Sequence, residues 1–254
     1  ANTLFLTQFS VAQLPLVYII TAVISVILGF IYTKLENRLA ITTLLQVILL
    51  SIFLFVVTFL VLIKFYDYQY AYMGIMIFKD IIWMFSAIEF GILVGVLFDI
   101  RQGKRLFGLL MSGEILAGIL GGVSITPLLE FEFITTIDLL LVSIVALSFS
   151  YVLLLYIIKQ FSSKFQNNSR DEEDEEVSTS PFSLLKNNYY LYLFAVSAIA
   201  FFLFYFIDYM FYYTVEARYT DEKELASFFG LFIALLNVVN LSFSLFVSGK
   251  ALSR

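Results

Sequence analysis

Seven apolar runs, each long enough to cross a bilayer and separated by short polar connections, constrain this chain more than any other feature. They lie at 14–34, 41–65, 73–97, 105–128, 136–159, 190–213 and 225–248. The hydrocarbon core takes about 20 helical residues to span. In lipid, backbone polar groups must bond within their own segment, so each run is predicted to be a transmembrane helix. The fold class that follows is all-α, a polytopic helical membrane protein. Composition agrees: 61% of residues are hydrophobic and 14% charged, where a soluble domain carries about a quarter charged.

The sequence has no histidine and no cysteine. That removes disulfides, thiol nucleophiles, imidazole metal sites and the Ser-His-Asp triad. Neither a phosphate-cradling loop ending in Lys-Ser/Thr nor a dinucleotide fingerprint is present. An enzyme, a metal site, a cofactor and a nucleic-acid partner are therefore not expected. The net charge of −5 is carried mostly by the acidic patch at 171–176, so the overall balance says little about partners.

Basic residues orient the chain. One set of connections holds Lys34, Arg38, Arg101, Lys104, Arg105, Lys159, Lys164, Arg170, Lys186, Lys250 and Arg254. The opposite set holds Lys64, Arg218 and Lys223. The positive-inside rule places the first set in the cytoplasm. The first residues are then expected outside and the last ones inside. The stretch 160–182 is the one long polar segment. Its low hydrophobicity and block of like charge predict a disordered cytoplasmic linker. It divides the chain into 1–160 with five spans, an acidic linker at 161–185, and 186–254 with two spans. The absence of a basic region before the first span argues against a signal peptide, and both ends read as cuts in a longer protein.

Ionisable residues inside spans are costly, about 3 kcal/mol each at a helix centre, and mark candidate sites. The third span carries Lys79, Ser86 and Glu89. Lys79 and Ser86 share a face at seven-residue spacing, with Glu89 on its flank. Two readings are open: a cavity wall that binds a polar solute or couples a proton, or a Lys79 that snorkels outward with Asp80 as its partner. Asn237 and Asn240 share a face in the last span, for interhelical bonding or solute contact. Asp99, Arg101, Lys104, Arg105 and Glu114 surround the basic turn after the third span, and pairing among them would latch the cytoplasmic side. Glu114 has a second reading, as a carboxylate at the cavity base. Asp208 lies among Tyr205, Tyr209, Tyr212 and Tyr213, an expected interfacial belt that keeps it wetted. Small residues recur every fourth position at Thr21-Ser25-Gly29, Gly113-Ala117-Gly121, Gly118-Gly122 and Ala226-Gly230-Ala234, the pattern of close helix packing.

The stretch Phe98-Asp99-Ile100-Arg101-Gln102-Gly103-Lys104-Arg105-Leu106-Phe107-Gly108, with the Gly-rich helix after it, resembles the signature turn of the ATP/ADP-exchanger-like branch of the major facilitator superfamily. Asn2-Thr3-Leu4-Phe5-Leu6 with Leu14-Pro15, Gly29 through Lys34 to Arg38, and Leu225-Ala226-Ser227-Phe228-Phe229-Gly230-Leu231-Phe232 fit the same family. The resemblance implies a twelve-helix bundle in two halves, of which this chain is a partial bundle covering helices two to eight. It implies that the third span is helix four, which lines the cavity, and so favours the solute-binding reading of Lys79, Ser86 and Glu89; Asn237 and Asn240 are the other candidate substrate-binding residues, from their mid-span position. Nucleotide exchangers spread several basic residues through their cavity, whereas here Lys79 alone lies well inside a span.

The expected function is a secondary transporter of the major facilitator type, working by alternating access on nucleotides or another small anionic solute. The alternative is a non-transporting membrane anchor or signalling module, since some relatives are fused to soluble regulatory domains. The expected partners are the lipid bilayer, a small anion and a covalently linked regulatory domain, and the expected location is a bacterial inner membrane.

Overall fold

The computed structural model describes residues 1–131, 134–165, 187–219 and 221–243; within these, the side chains of 100, 101, 103–108, 111 and 243 lie outside the description. The described residues contain helices and no strand. Seven helices are long and apolar enough to cross a membrane, which makes this an all-α polytopic membrane protein as the sequence predicts.

The chain opens with a short helix α1 (Asn2–Leu6) and a single 3-10 turn at Val11–Gln13, whose first free N–H groups are partly met by the Ser10 hydroxyl. Helix α2 (Leu14–Glu36) follows with Pro15 in its first turn, where a missing N–H costs nothing. Then come α3 (Ile41–Tyr66), α4 (Gln69–Leu97), α5 (Ile100–Leu129), α6 (Leu139–Gln160), α7 (Asn188–Arg218) and α8 (Glu222–Phe243). Helix α4 is about 43 Å long and α7 about 46 Å at 1.5 Å per residue, so both overrun a hydrocarbon core of about 30 Å. Between α3 and α4 the chain reverses in two residues, with Asp67 in the left-handed region at φ 45°. Asp tolerates this conformation better than most side chains.

One boundary differs from expectation. The stretch 98–108 is not a turn: only Phe98 and Asp99 are non-helical, and α5 already runs from Ile100. Arg, Lys and Leu are good helix formers, so the helix starts directly after Asp99, whose backbone is extended.

Two ends can be distinguished. The upper end holds 67–68, 130–131, 134–138, 219 and 221; the lower end holds 37–40 and 98–99. At the upper end one apolar cluster gathers α1, the 3-10 turn, α2, α3, α4, α7 and α8. Phe5 is 0% exposed at its centre, among Leu4, Leu14, Tyr72, Tyr212 and Phe229. At the lower end two smaller clusters draw on the first spans and α6: Leu45, Leu49 and Leu154 in one, Leu44, Ile48 and Ile52 in the other. No described residue of α5, α7 or α8 joins either of them.

Helices α5 and α8 form the closest pair. A Cβ on Gly122 would stand against the backbone oxygen of Gly230, and one on Gly230 would stand 2.6 Å from the oxygen of Gly122. The two backbones therefore touch, as small residues at fourth positions allow. Gly118 packs on the Asn237 side chain in the same seam. Gly29, Gly113 and Gly121 have nothing within 4 Å of a Cβ, so part of the predicted small-residue pattern packs nothing in this structure.

Candidate functional site

Lys79 sits ten residues into α4, about 15 Å from its upper start. Its ammonium lies 3.3 Å from Asp80 Oδ1 and donates a hydrogen bond to Asn2 Oδ1 at 3.2 Å. Lys79 is about one-third exposed and does not stand alone. The first residues of the chain fold back as α1 against α4, which brings the Asn2 amide to it.

A second polar contact lies alongside. Tyr18, on α2, donates its hydroxyl to Asp208 Oδ2 on α7 at 2.7 Å, and the Tyr18 and Tyr205 rings meet at 4.8 Å between centroids. Asp208 feels the charges of both Lys79 and Asp80, and Asn2 lies within hydrogen-bonding reach of the buried Tyr212 hydroxyl. Asn2, Tyr18, Lys79, Asp80, Asp208 and Tyr212 thus form one polar cluster beneath the upper apolar seal. It joins helices on both sides of the linker. Above it, Glu216 Oε1 on α7 accepts the backbone N–H of Val11 at 3.1 Å. A carboxylate that accepts such donors in a poorly solvated place is held more firmly than one in water.

The predicted site residues divide. Ser86 is exposed on the same side of α4 as Lys79 but below the seal. Along that side, Tyr72 (5%) and Met76 (1%) are covered, while Trp83 is 69% exposed and Ala87 is exposed too. Glu89 is buried, with no hydrogen bond or ion pair to a described residue. Ile82, seven residues before it, and Leu93, four after, share its side of the helix and pack in the lower clusters. The structure therefore does not bring Lys79, Ser86 and Glu89 together. Asn237 donates to the Ile233 carbonyl at 2.9 Å and packs on Gly118, and Asn240 is exposed. Asp99 and Glu114 are exposed; the side chains of Arg101, Lys104 and Arg105, and with them the proposed latch, lie outside the described residues, as does most of the acidic linker.

Nothing in the sequence pattern singles out Asn2 or Tyr18, and its aromatic surroundings lead Asp208 to be expected wetted. Instead Asp208 is half-buried and bonded to Tyr18. An acid in a run of aromatics was a signal for it; an isolated tyrosine in an apolar run offered none.

Beside the cluster, on the side away from α7, a cleft of about 420 Å³ opens between α3, α4 and α6. Lys79 lines it with Ile75, Ile82, Leu147, Ser143 and Ser150. A second cleft, of about 150 Å³ between α2, α3 and α4, is lined almost wholly by apolar side chains.

Farther out, Lys64 at the top of α3 pairs with Asp138 at the start of α6, and Asp138 also accepts from the Thr135 backbone N–H and hydroxyl. The hydrogen bond from Lys64, with those from Thr135, holds the Asp138 carboxyl down at about 2.

Compared with known proteins, the chain matches no family model, no curated protein and no solved structure.

Proposed function

We propose that this chain is part of a secondary transporter of the major facilitator type, seen closed toward the outside. The upper end is the outer one, as the sparse basic residues there suggest. One observation carries this reading. The upper apolar cluster unites helices from before and after the linker, whereas the described residues of the lower clusters come from helices before it and from Phe165 at its start. A bundle sealed at one end and, among the described residues, joined below that seal by the α5–α8 seam alone fits one of the two states that alternating access requires. The polar cluster of Lys79, Asp80, Asn2, Tyr18 and Asp208 lies just below the seal and ties α1, α2, α4 and α7. Intramembrane charges of this kind mark solute or ion paths, and these are placed to sense whether the seal is made.

The Lys79 side of α4 supports the same reading. It is covered at Tyr72 and Met76 and exposed at Trp83, Ser86 and Ala87. Ser86 would line the route from the inner side to the cluster.

The test uses the absence of cysteine from these 254 residues, with any cysteine elsewhere in the intact protein replaced by serine. Ser86→Cys in the intact protein, reconstituted in liposomes of known orientation, is exposed to an impermeant thiol reagent from either side. Alternating access predicts modification from the inner face at once and from the outer face slowly. Reaction from one face only, at all times and with every solute tried, would mark a static membrane module. The substrate reading is checked separately, by protein-dependent counterflow of labelled organic anions and nucleotides.

A further inference from the structure

We infer that the cleft between α3, α4 and α6 binds a single-chain organic anion, an apolar body with one anionic head, and that Lys79 exchanges Asp80 for that head when the ligand enters. Calling the ligand a substrate rests on the transporter reading above; the binding site itself does not.

The volume comes first. At about 420 Å³ the cleft falls within the range that holds small organic ligands. Its walls come next. Ile75 and Ile82 from α4 and Leu147 from α6 make an apolar lining, which selects against a body that needs hydration. The polar side chains are few, Lys79, Ser143 and Ser150, with Ala1 beside them. Ser143 already leans on the Leu139 carbonyl at 3.5 Å, whereas Ser150 has no hydrogen bond to a described residue.

Charge then narrows the class. Lys79 is the one cationic side chain lining the cleft, and Ala1 lines it beside Lys79. An ammonium has three donors. Asn2 and Asp80 engage two, and one remains for a ligand on the cleft side. Asp80 does not line the cleft, and Asp208 stands on the α7 side, bonded to Tyr18. A nucleoside triphosphate would bring several negative charges to a single, already paired cation, in a cleft without an aromatic ring to stack a base. One carboxylate or sulfonate matches it. The match is complete only if Asp80, one-third exposed, lets go of Lys79. Asp80 is thus a built-in competitor for the ligand's head group. Its release loosens the cluster beneath the outer seal, so occupancy and opening are linked through one ammonium.

The competitor makes the test two-sided. A dansyl-labelled fatty carboxylate is titrated against the intact protein in nanodiscs of zwitterionic lipid. Binding should saturate, and the methyl ester of the same probe should bind poorly. Lys79→Gln should weaken the probe by about tenfold or more, the loss of one charge-assisted contact. Asp80→Asn should tighten it severalfold, a gain that a merely damaged fold cannot produce. ATP should not displace the probe, nor should a two-chain anionic phospholipid added to the nanodisc. Weaker binding by Asp80→Asn, equal binding of the ester, or displacement by ATP or by the phospholipid would overturn the assignment. A failed titration alongside two-sided modification of Ser86→Cys would sink this site and leave the transporter reading standing.

Discussion

The two ends of this bundle are built from different partners. The upper end packs α1, α2, α3 and α4 against α7 and α8 around Phe5, and adds the Tyr18–Asp208 and Val11–Glu216 hydrogen bonds across the linker. The lower end packs α2, α3, α4 and α6 among themselves. There, Lys164, just past the end of α6 in the first residues of the linker, donates to the Leu97 carbonyl at the end of α4. The difference teaches that helix count and hydropathy decide membrane insertion, while the choice of partner at each end decides conformation. A seal made by one apolar cluster and a few polar contacts can open without unfolding any helix, because each helix satisfies its own backbone.

Phe5→Ala should have the largest effect. Truncating a fully buried phenylalanine costs about 3–5 kcal/mol, and the loss falls on the seal. Thermal unfolding in detergent should drop, and upper-end distances should lengthen. Leu45→Ala, of similar burial in a lower cluster, should destabilise the first spans while leaving upper distances unchanged. If the two variants change the same distances, the ends are not separate units.

Gly122→Leu comes next. Overpacking costs about 1–3 kcal/mol, and more where the obstacle is backbone, as it is at Gly230. The α5–α8 pair should part, seen as lost crosslinking between cysteines at Gly118 and Asn237. Gly113→Ala, with open space at its Cβ, is the matched control and should gain a few tenths of a kcal/mol from helix propensity.

What the sequence made legible follows from how membranes constrain a chain. Length and hydropathy were enough for all seven spans, since a helix in lipid has no alternative. The Gly118, Gly122, Gly230 and Ala234 seam was visible as a spacing, but its neighbour Gly121 carried the same spacing and packs nothing; periodicity cannot say which face has a partner. Lys79 was legible because a charge in a span is rare. Its partners were not, because Asn2 is 77 residues away and Tyr18 is 190 residues from Asp208. Glu89 was placed with Lys79 from angular spacing, yet it faces the lower clusters. A difference of about 80° around a helix separates two environments that one polar face was expected to hold.

Tyr18→Phe removes the hydroxyl from Asp208 and leaves a half-buried carboxylate without its donor. The expected loss is about 1.5–3 kcal/mol, felt as a shift toward the outward-open population. Asp208→Asn should be milder, since an amide keeps an acceptor for the hydroxyl and needs no counter-charge.

The smallest effect is expected at the Lys64–Asp138 pair, which is partly exposed and contributes about 0.2–1 kcal/mol. Because the folded carboxyl titrates at about 2, below its ordinary value near 3.9, its contribution is present above about pH 4. It is lost as pH falls through 2. Asp138→Asn should remove that acid dependence with the midpoint at neutral pH lowered slightly; a variant with an unchanged acid profile would show the pair to be idle.

The central claim is that the ends differ in closure. Spin labels on the intact protein in nanodiscs, at Tyr70→Cys with Glu224→Cys above and at Asn37→Cys with Val239→Cys below, measure it directly by double electron–electron resonance. All four positions are exposed, so the labels disturb little packing. A short, narrow distance is expected at the upper pair and a long, broad one at the lower pair, with a minor population in which the two are reversed. A lower pair as short and narrow as the upper one would contradict it.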